Sequence, residues 1–323
     1  MRKHRRLALG ATVLAAALIT AACSSGGGSS SGGSTNSPSA GGATLASTFI
    51  FGAPPDCPTN KLCAEGLKST YGIVFKEVKP LDFGGPETVA ALKSGAVQVG
   101  ELFSTSVYDP DFTVLVDDKH LEAADNIAPV VRTDVATDDV TNLLNAVSAK
   151  LDTAGMLALN KQVDIDHKDV SDVAKTFLTA QGLLATPTTT GSGTTLTVGV
   201  SGNFSESKLL AEMYAEVLEN AGYTIKRQLS LESRKVSDPA LFSGKIDIKP
   251  EYLSSEALAN DPNAAVSGDT QNNFSVLSGI LQAKGVTVLT PSAAIDTNVF
   301  VVTTATASKY GLANVSDLAK PAS

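Results

Sequence analysis

The feature that most constrains this chain is a short unit that occurs twice. Residues 91–105 read ALKSGAVQVGELFST and residues 240–255 read ALFSGKIDIKPEYLSS. In each, an apolar helix ending meets a glycine, Gly95 or Gly244, which suits the left-handed cap that stops a helix. The alternating pairs Val97/Val99 and Ile246/Ile248 then predict short strands over 96–99 and 245–248. Each strand leads into a polar or aromatic patch. Two copies predict two similar α/β lobes that present strand ends to a shared cleft, since ligands of open α/β sheets sit beyond the carboxyl ends of the strands. The competing reading is a common helix ending, A-L-x-S-G, that recurs by chance.

The N-terminus reads as a targeting segment. Arg2, Lys3, Arg5 and Arg6 precede an apolar run over 7–22, too short and wrongly flanked for a stable membrane span. Cys23 follows Thr20-Ala21-Ala22, a pattern similar to a bacterial lipobox. Residues 1–22 are then a signal peptide, and Cys23 carries a lipid after cleavage; the alternative is ordinary secretory cleavage. Residues 24–42, nearly all Ser and Gly, form a flexible tether. An exported chain meets an oxidising compartment, so Cys57 and Cys63 in DCPTNKLC read as a disulfide. Zinc is the alternative and would need two further ligands, which no nearby His supplies.

The 323 residues suit two domains once the leader is set aside. A net charge of -8 argues against a nucleic-acid partner, which would want a basic face. From residue 139 the texture turns helical, with helices over 140–149, 152–163 and 168–181. Residues 185–195, ATPTTTGSGTT, read as a linker, and a fresh α/β run begins at 196. The sequence has three His and shows no HExxH, GxSxG, GxxxxGK or thiol–His pair, so the catalytic case is poor. The run Asp117-Asp118-Lys119-His120 reads as a solvated turn rather than a metal or acid–base site.

The stretches VGVSGNFSESKLLAEMYAEVLENAGY, KIDIKPEYLSSEAL and KYGLANVSDLAK resemble the first half of the osmoprotectant-binding proteins of ABC importers. FGAPPDC, GLKSTYGIVFKEVKPLD, ALKSGAVQV, LVDDKH, APVVR, LNKQVD and FLTAQGLL resemble that family's second half. The halves stand in reversed order, which looks like a circular permutation; physics permits one where the original ends lie close and the new ends are exposed. The resemblance implies a two-lobed periplasmic-binding-protein-like type II fold, with a mixed sheet flanked by helices in each lobe. It places one lobe in 44–130 plus 298–323 and the other in 131–296, with 185–195 joining the family's usual termini and hinge crossings near 130–132 and 295–298. It implies no enzyme activity and no cofactor or metal. The implied role is capture of a small quaternary-amine or zwitterionic solute outside the cytoplasm and delivery to an ABC permease, by a monomer anchored to the cell membrane. A module that senses solute without transport is the alternative on the same fold.

A quaternary ammonium donates no hydrogen bonds and is held by aromatic faces. Tyr252, in PEYLSS, matches an aromatic of the family's site, and Ser255 matches the Thr there; a half-buried structural Tyr is the plainer reading. Asn203, Phe204 and Ser205 stand at the head of a predicted helix, whose N–H groups suit a carboxylate. Phe103, Ser104 and Thr105 follow the first repeat strand, with Tyr108 near, and Gly52, Ala53, Asp56 and Phe83 lie on loops beside the cleft. Asn126 and Val299 stand where the family often has Tyr, and Gly202 replaces a Lys.

Overall fold

The computed structural model describes residues 43–55, 57–82, 84–201, 204–231 and 233–322. The leader, Cys23, Asp56, Phe83 and Asn203 lie outside the described residues. Ten strands occur among these: β1 (Ile50–Ala53), β2 (Glu77–Pro80), β3 (Val99–Phe103), β4 (Phe112–Val114), β5 (Ile127–Arg132), β6 (Thr195–Gly199), β7 (Thr224–Gln228), β8 (Ile248–Tyr252), β9 (Val286–Val288) and β10 (Asn298–Thr303). The helices are α1 (Ala64–Gly66), α2 (Pro86–Lys93), α3 (Asp138–Ser148), α4 (Thr153–Asp164), α5 (Val170–Ala180), α6 (Ser205–Asn220), α7 (Arg234–Phe242), α8 (Leu253–Asn260), α9 (Thr270–Gln282) and α10 (Thr304–Tyr310).

The strands form two five-stranded sheets, in the orders β2-β1-β3-β10-β4 and β7-β6-β8-β5-β9. Each sheet has the same pattern. In the first, β1 runs parallel to β2 and β3, and β10 runs antiparallel to β3 and β4. In the second, β6 runs parallel to β7 and β8, and β5 runs antiparallel to β8 and β9. The strand that runs antiparallel to its neighbours, β10 in the first sheet and β5 in the second, is in each case entered from the other lobe. The polypeptide therefore crosses between sheets twice, over 115–126 and 289–297, which is the two-lobed type II arrangement.

The two copies of the repeated unit occupy equivalent places. Gly95 and Gly244 end α2 and α7 with φ of 72° and 74°. The strands start later than the alternation predicts, however: residues 96–98 and 245–247 are irregular, and β3 and β8 run on to Phe103 and Tyr252. All five side chains of β8, Ile-Lys-Pro-Glu-Tyr, are buried. A strand carrying Lys249 and Glu251 does not read as buried in sequence. It is stable here because the two charges pair, Lys249 Nζ lying 2.6 Å from Glu251 Oε1.

Helix α6 fastens the second lobe. Leu209, Leu210, Met213, Tyr214, Val217 and Leu218 are all buried, in one core with β6, β8 and residues of α3, α4 and α5. Burying one such aliphatic side chain is worth about 1.5–3 kcal/mol. The starts of α4 and α5 are capped: Asp152, one residue before the Thr153 that the sequence suggests, accepts from Gly155 N at 2.7 Å, and Asp169 caps α5 through Ser171 N and Asp172 N.

One boundary moves. All of β5 belongs to the second sheet, so the first crossing ends before Ile127, earlier than the 130/131 division read from the sequence. The stretch 185–195 lies on the second lobe, with Thr188 N and Gly191 N donating to Asn220 O and Ala221 O at the end of α6. A Cβ on Gly191 would sit 2.2 Å from the Tyr223 ring, so glycine is what lets this segment lie flat. The first and last described residues meet in the first lobe, where Ala322 N donates to Ala43 O at 2.7 Å and Leu45 N to Lys320 O at 2.8 Å. Cys57 and Cys63 are joined by a disulfide within that lobe's core.

Candidate functional site

A cavity of about 910 Å³ opens between the lobes. The first lobe supplies the N-terminal half of α2 from Gly85 and Pro86, the end of β3 at Leu102 and Phe103, and the loop carrying Thr105, Ser106, Tyr108 and Asp109. The second supplies Asn160, Lys161 and Asp164 from the last turns of α4, and Phe204, Ser205 and Glu206 from the start of α6. Asp296, on the second crossing, completes it. The first helix–strand unit thus reaches the cleft through the end of β3, whereas residues 240–255 of the second do not line it; that lobe meets the cleft through α4 and α6 instead. Gly84 lets the loop before α2 lie against β3: its φ is 66°, and a Cβ there would meet Leu102 Cα at 3.2 Å.

The walls are aromatic. Phe103, Tyr108 and Phe112 come from one lobe and Phe204 from the other. Phe204, the residue just before α6, is 42% exposed, which leaves part of its ring open to the cavity it lines.

The floor is polar and buried. Glu206 accepts from Tyr252 Oη at 2.7 Å on one oxygen and from Asn160 Nδ2 on the other. Asn160 Nδ2 also reaches Thr105 O across the cleft at 3.2 Å. Thr105 Oγ1 donates to Asp296 Oδ1 at 2.8 Å. Tyr108 Oη donates to Asp164 Oδ2 at 2.6 Å, a second bond from lobe to lobe. Burial pushes the Glu206 carboxyl above its ordinary range; the hydrogen bonds from Tyr252, Asn160 and Thr105 oppose the rise, and the charge of Asp164 adds to it. Burial and then the charge of Glu206 push Asp296 well above its own.

The sequence-predicted residues divide. Phe103, Thr105, Phe204 and Ser205 line the cavity. Tyr252 stands behind it, 3% exposed, with its hydroxyl on Glu206 and its ring stacked on Phe204 at 6.1 Å between centroids. The protein's own Arg234 guanidinium lies 5.9 Å from the Tyr252 ring centroid. Ser104 is used on the crossing, where its Oγ donates to Ile295 O at 2.9 Å and accepts from Thr297 N at 3.1 Å. Ser255 N and Oγ both donate to Asp125, which caps α8. Asn126 joins Ser292 O and Thr270 Oγ1 at 3.0 and 2.8 Å. Gly52 and Ala53 belong to β1. Glu206, Asp296 and Asn160 were not singled out in the sequence; Asn160 and Asp164 sit in LNKQVD, and only their convergence on the cleft marks them.

Behind the floor is a balanced ionic cluster. Arg234 pairs with Glu251 at 3.0 Å and Glu256 at 3.2 Å, while Lys249 pairs with Glu251, Glu256 and Asp238. Burial favours the neutral Glu251 acid, but Arg234 and Lys249 outweigh it and hold the carboxyl at about 2. Burial and the charge of Glu251 push Glu256 up to about 9. Three carboxyls around two cations are thus accommodated by keeping one of them protonated.

The family model described as "Substrate binding domain of ABC-type glycine betaine transport system" matches residues 43–180 and 194–323. The chain belongs to this family. Members of the glycine betaine-type binding family are substrate-binding domains, not enzymes. A glycine-betaine-binding protein of Pseudomonas aeruginosa is 33% identical over 144 residues, covering 43% of this chain and 46% of that protein. The chain thus matches about half the length of that curated relative. Among solved structures, a phosphate-binding protein from Streptococcus pneumoniae is 13% identical, with a TM-score of 0.40 over 79% of this chain and 88% of that one. PhnD1 from Prochlorococcus marinus, in complex with methylphosphonate, is 12% identical, with a TM-score of 0.40 over 84% and 82%. Likeness at that level says nothing about this chain's ligand.

Proposed function

We propose that this chain is a solute-binding lipoprotein of an ABC importer. It captures a small quaternary-amine or zwitterionic solute between its lobes, outside the cytoplasm, and passes it to a membrane permease. The observation that carries this reading is the cavity itself: aromatic walls from both lobes stand over a floor that includes the crossing residue Asp296. Rotation about the paired crossings, where Asp296 N donates to Asp125 O at 3.1 Å, would open and shut the cleft. In this reading Cys23 carries the lipid, residues 24–42 form the tether, and the protein acts as a monomer. In this reading the family's two sequence halves stand in permuted order. The family model's two segments flank residues 181–193, and the first and last described residues, Ala43 and Ala322, meet in the lobe opposite the 185–195 segment.

The test is a thermal-melt screen of the exported domain against quaternary amines and zwitterions, with scattering to follow compaction. Ligand at a hundred times its Kd should stabilise the fold by about 2.7 kcal/mol, seen as a raised Tm, and should shrink the radius of gyration. A panel that leaves both quantities unchanged would overturn the reading.

A further inference from the structure

The floor of the cleft offers acceptors, and one of them lacks a partner. Asn160 is 3% exposed, and its Oδ1 is buried with no hydrogen-bond partner among the described residues. Its orientation is fixed, because Nδ2 must face two acceptors, Glu206 Oε2 and Thr105 O. A buried acceptor left open costs about 1–3 kcal/mol unless something donates to it. Beside it both oxygens of Glu206 accept hydrogen bonds, which is the arrangement of an ionised carboxylate.

The charges do not balance either. Glu206, Asp296 and Asp164 make no ion pair among the described residues; their partners are hydroxyls and an amide. Lys93 at the rim is taken by Asp109 at 2.5 Å, which leaves exposed Lys161 as the remaining lining cation. The first turn of α6 would ordinarily attract an anion. Here it already carries Glu206, which offsets the helix's positive end and repels a second carboxylate.

Resting on the solute-binding reading above, we infer that the ligand is an organic cation bearing an O–H or N–H donor and no carboxylate. Its charge lies over Glu206 and Asp296, and its donor bonds Asn160 Oδ1. A trimethylammonium carboxylate such as glycine betaine has no donor to give this floor and brings an anion to it. Tyr252 acts here as a positioning residue for Glu206.

The test is titration calorimetry of the wild-type domain with three probes: choline, propyltrimethylammonium and glycine betaine. The second is choline with a methyl group in place of its hydroxyl. Choline should bind at least tenfold more tightly than either of the others. Glu206→Gln and Asp296→Asn, which keep shape and remove charge, should each weaken choline at least fivefold and leave glycine betaine no weaker. Glycine betaine binding as tightly as choline would overturn the inference and leave the solute-binding reading standing. Equal binding of choline and propyltrimethylammonium would overturn the assigned donor contact. Binding of none of the three would remove the inference and count against the solute-binding reading as well.

Discussion

Lys249→Met removes the cation at the centre of the cluster behind the cleft while nearly conserving volume. Lys249 is fully buried, lies 2.6 Å from Glu251 and 3.5 Å from Glu256, and also contacts Asp238. A unit pair at that closer distance interacts by roughly 6 kcal/mol at an effective dielectric of about 20. Burial of both charges returns much of this, so the pair as a whole is not a large net gain. Truncating one side is different, because the carboxylates stay buried without their counterion, at a cost of about 3–5 kcal/mol. A second route gives a similar size. Holding the Glu251 carboxyl at about 2 rather than its ordinary value near 4.5 corresponds to roughly 3 kcal/mol, shared between Arg234 and Lys249. The sign of the pH dependence follows. A depressed carboxyl stabilises the fold above its unfolded value and loses that contribution as pH falls toward 2. Urea denaturation at neutral pH should therefore show Lys249→Met less stable by about 3 kcal/mol or more. The gap should narrow as the pH drops below about 4.5. A loss under about 1 kcal/mol, or a gap that widens in acid, would refute the counterion argument.

Two further outcomes follow from named contacts. Tyr108→Phe breaks the lobe-to-lobe bond to Asp164, so the choline Kd should rise about fivefold, a cost of about 1 kcal/mol, with a larger radius of gyration by scattering; unchanged values would mean the bond does not help hold the lobes together. Replacing Cys57 and Cys63 with Ser opens a short loop and should lower stability by about 2 kcal/mol in urea, with ligand affinity within twofold, since neither residue lines the cavity.

The overall plan was legible because backbone physics writes it locally. Gly95 and Gly244 mark helix ends that only a left-handed residue completes, and the apolar faces of α4, α5 and α6 repeat at helical spacing. Strand β8 was legible only at its start, Ile248, because Lys249 and Glu251 look like solvent-facing residues until their pairing along one side of the strand is seen. The cleft was half legible. Aromatic residues next to strand ends and helix starts, Phe103 and Phe204, announce themselves in sequence. Glu206 does not, because an acid in the first turn of a helix ordinarily faces water and answers the helix dipole. Its burial arises from Tyr252, Asn160 and Thr105, which lie at widely separated positions in the chain. Ser255 and Asn126 stand at positions that the family resemblance marks, yet the hydrogen bonds of Ser255 go to Asp125 and those of Asn126 to Ser292 and Thr270.

The most direct measurement is a crystal structure of the wild-type domain grown with choline. The account requires one choline between Phe103 and Phe204, with its nitrogen over Glu206 and its hydroxyl within about 2.8 Å of Asn160 Oδ1. A choline elsewhere on the surface, or one whose hydroxyl faces away from Asn160 toward Lys161, would contradict it.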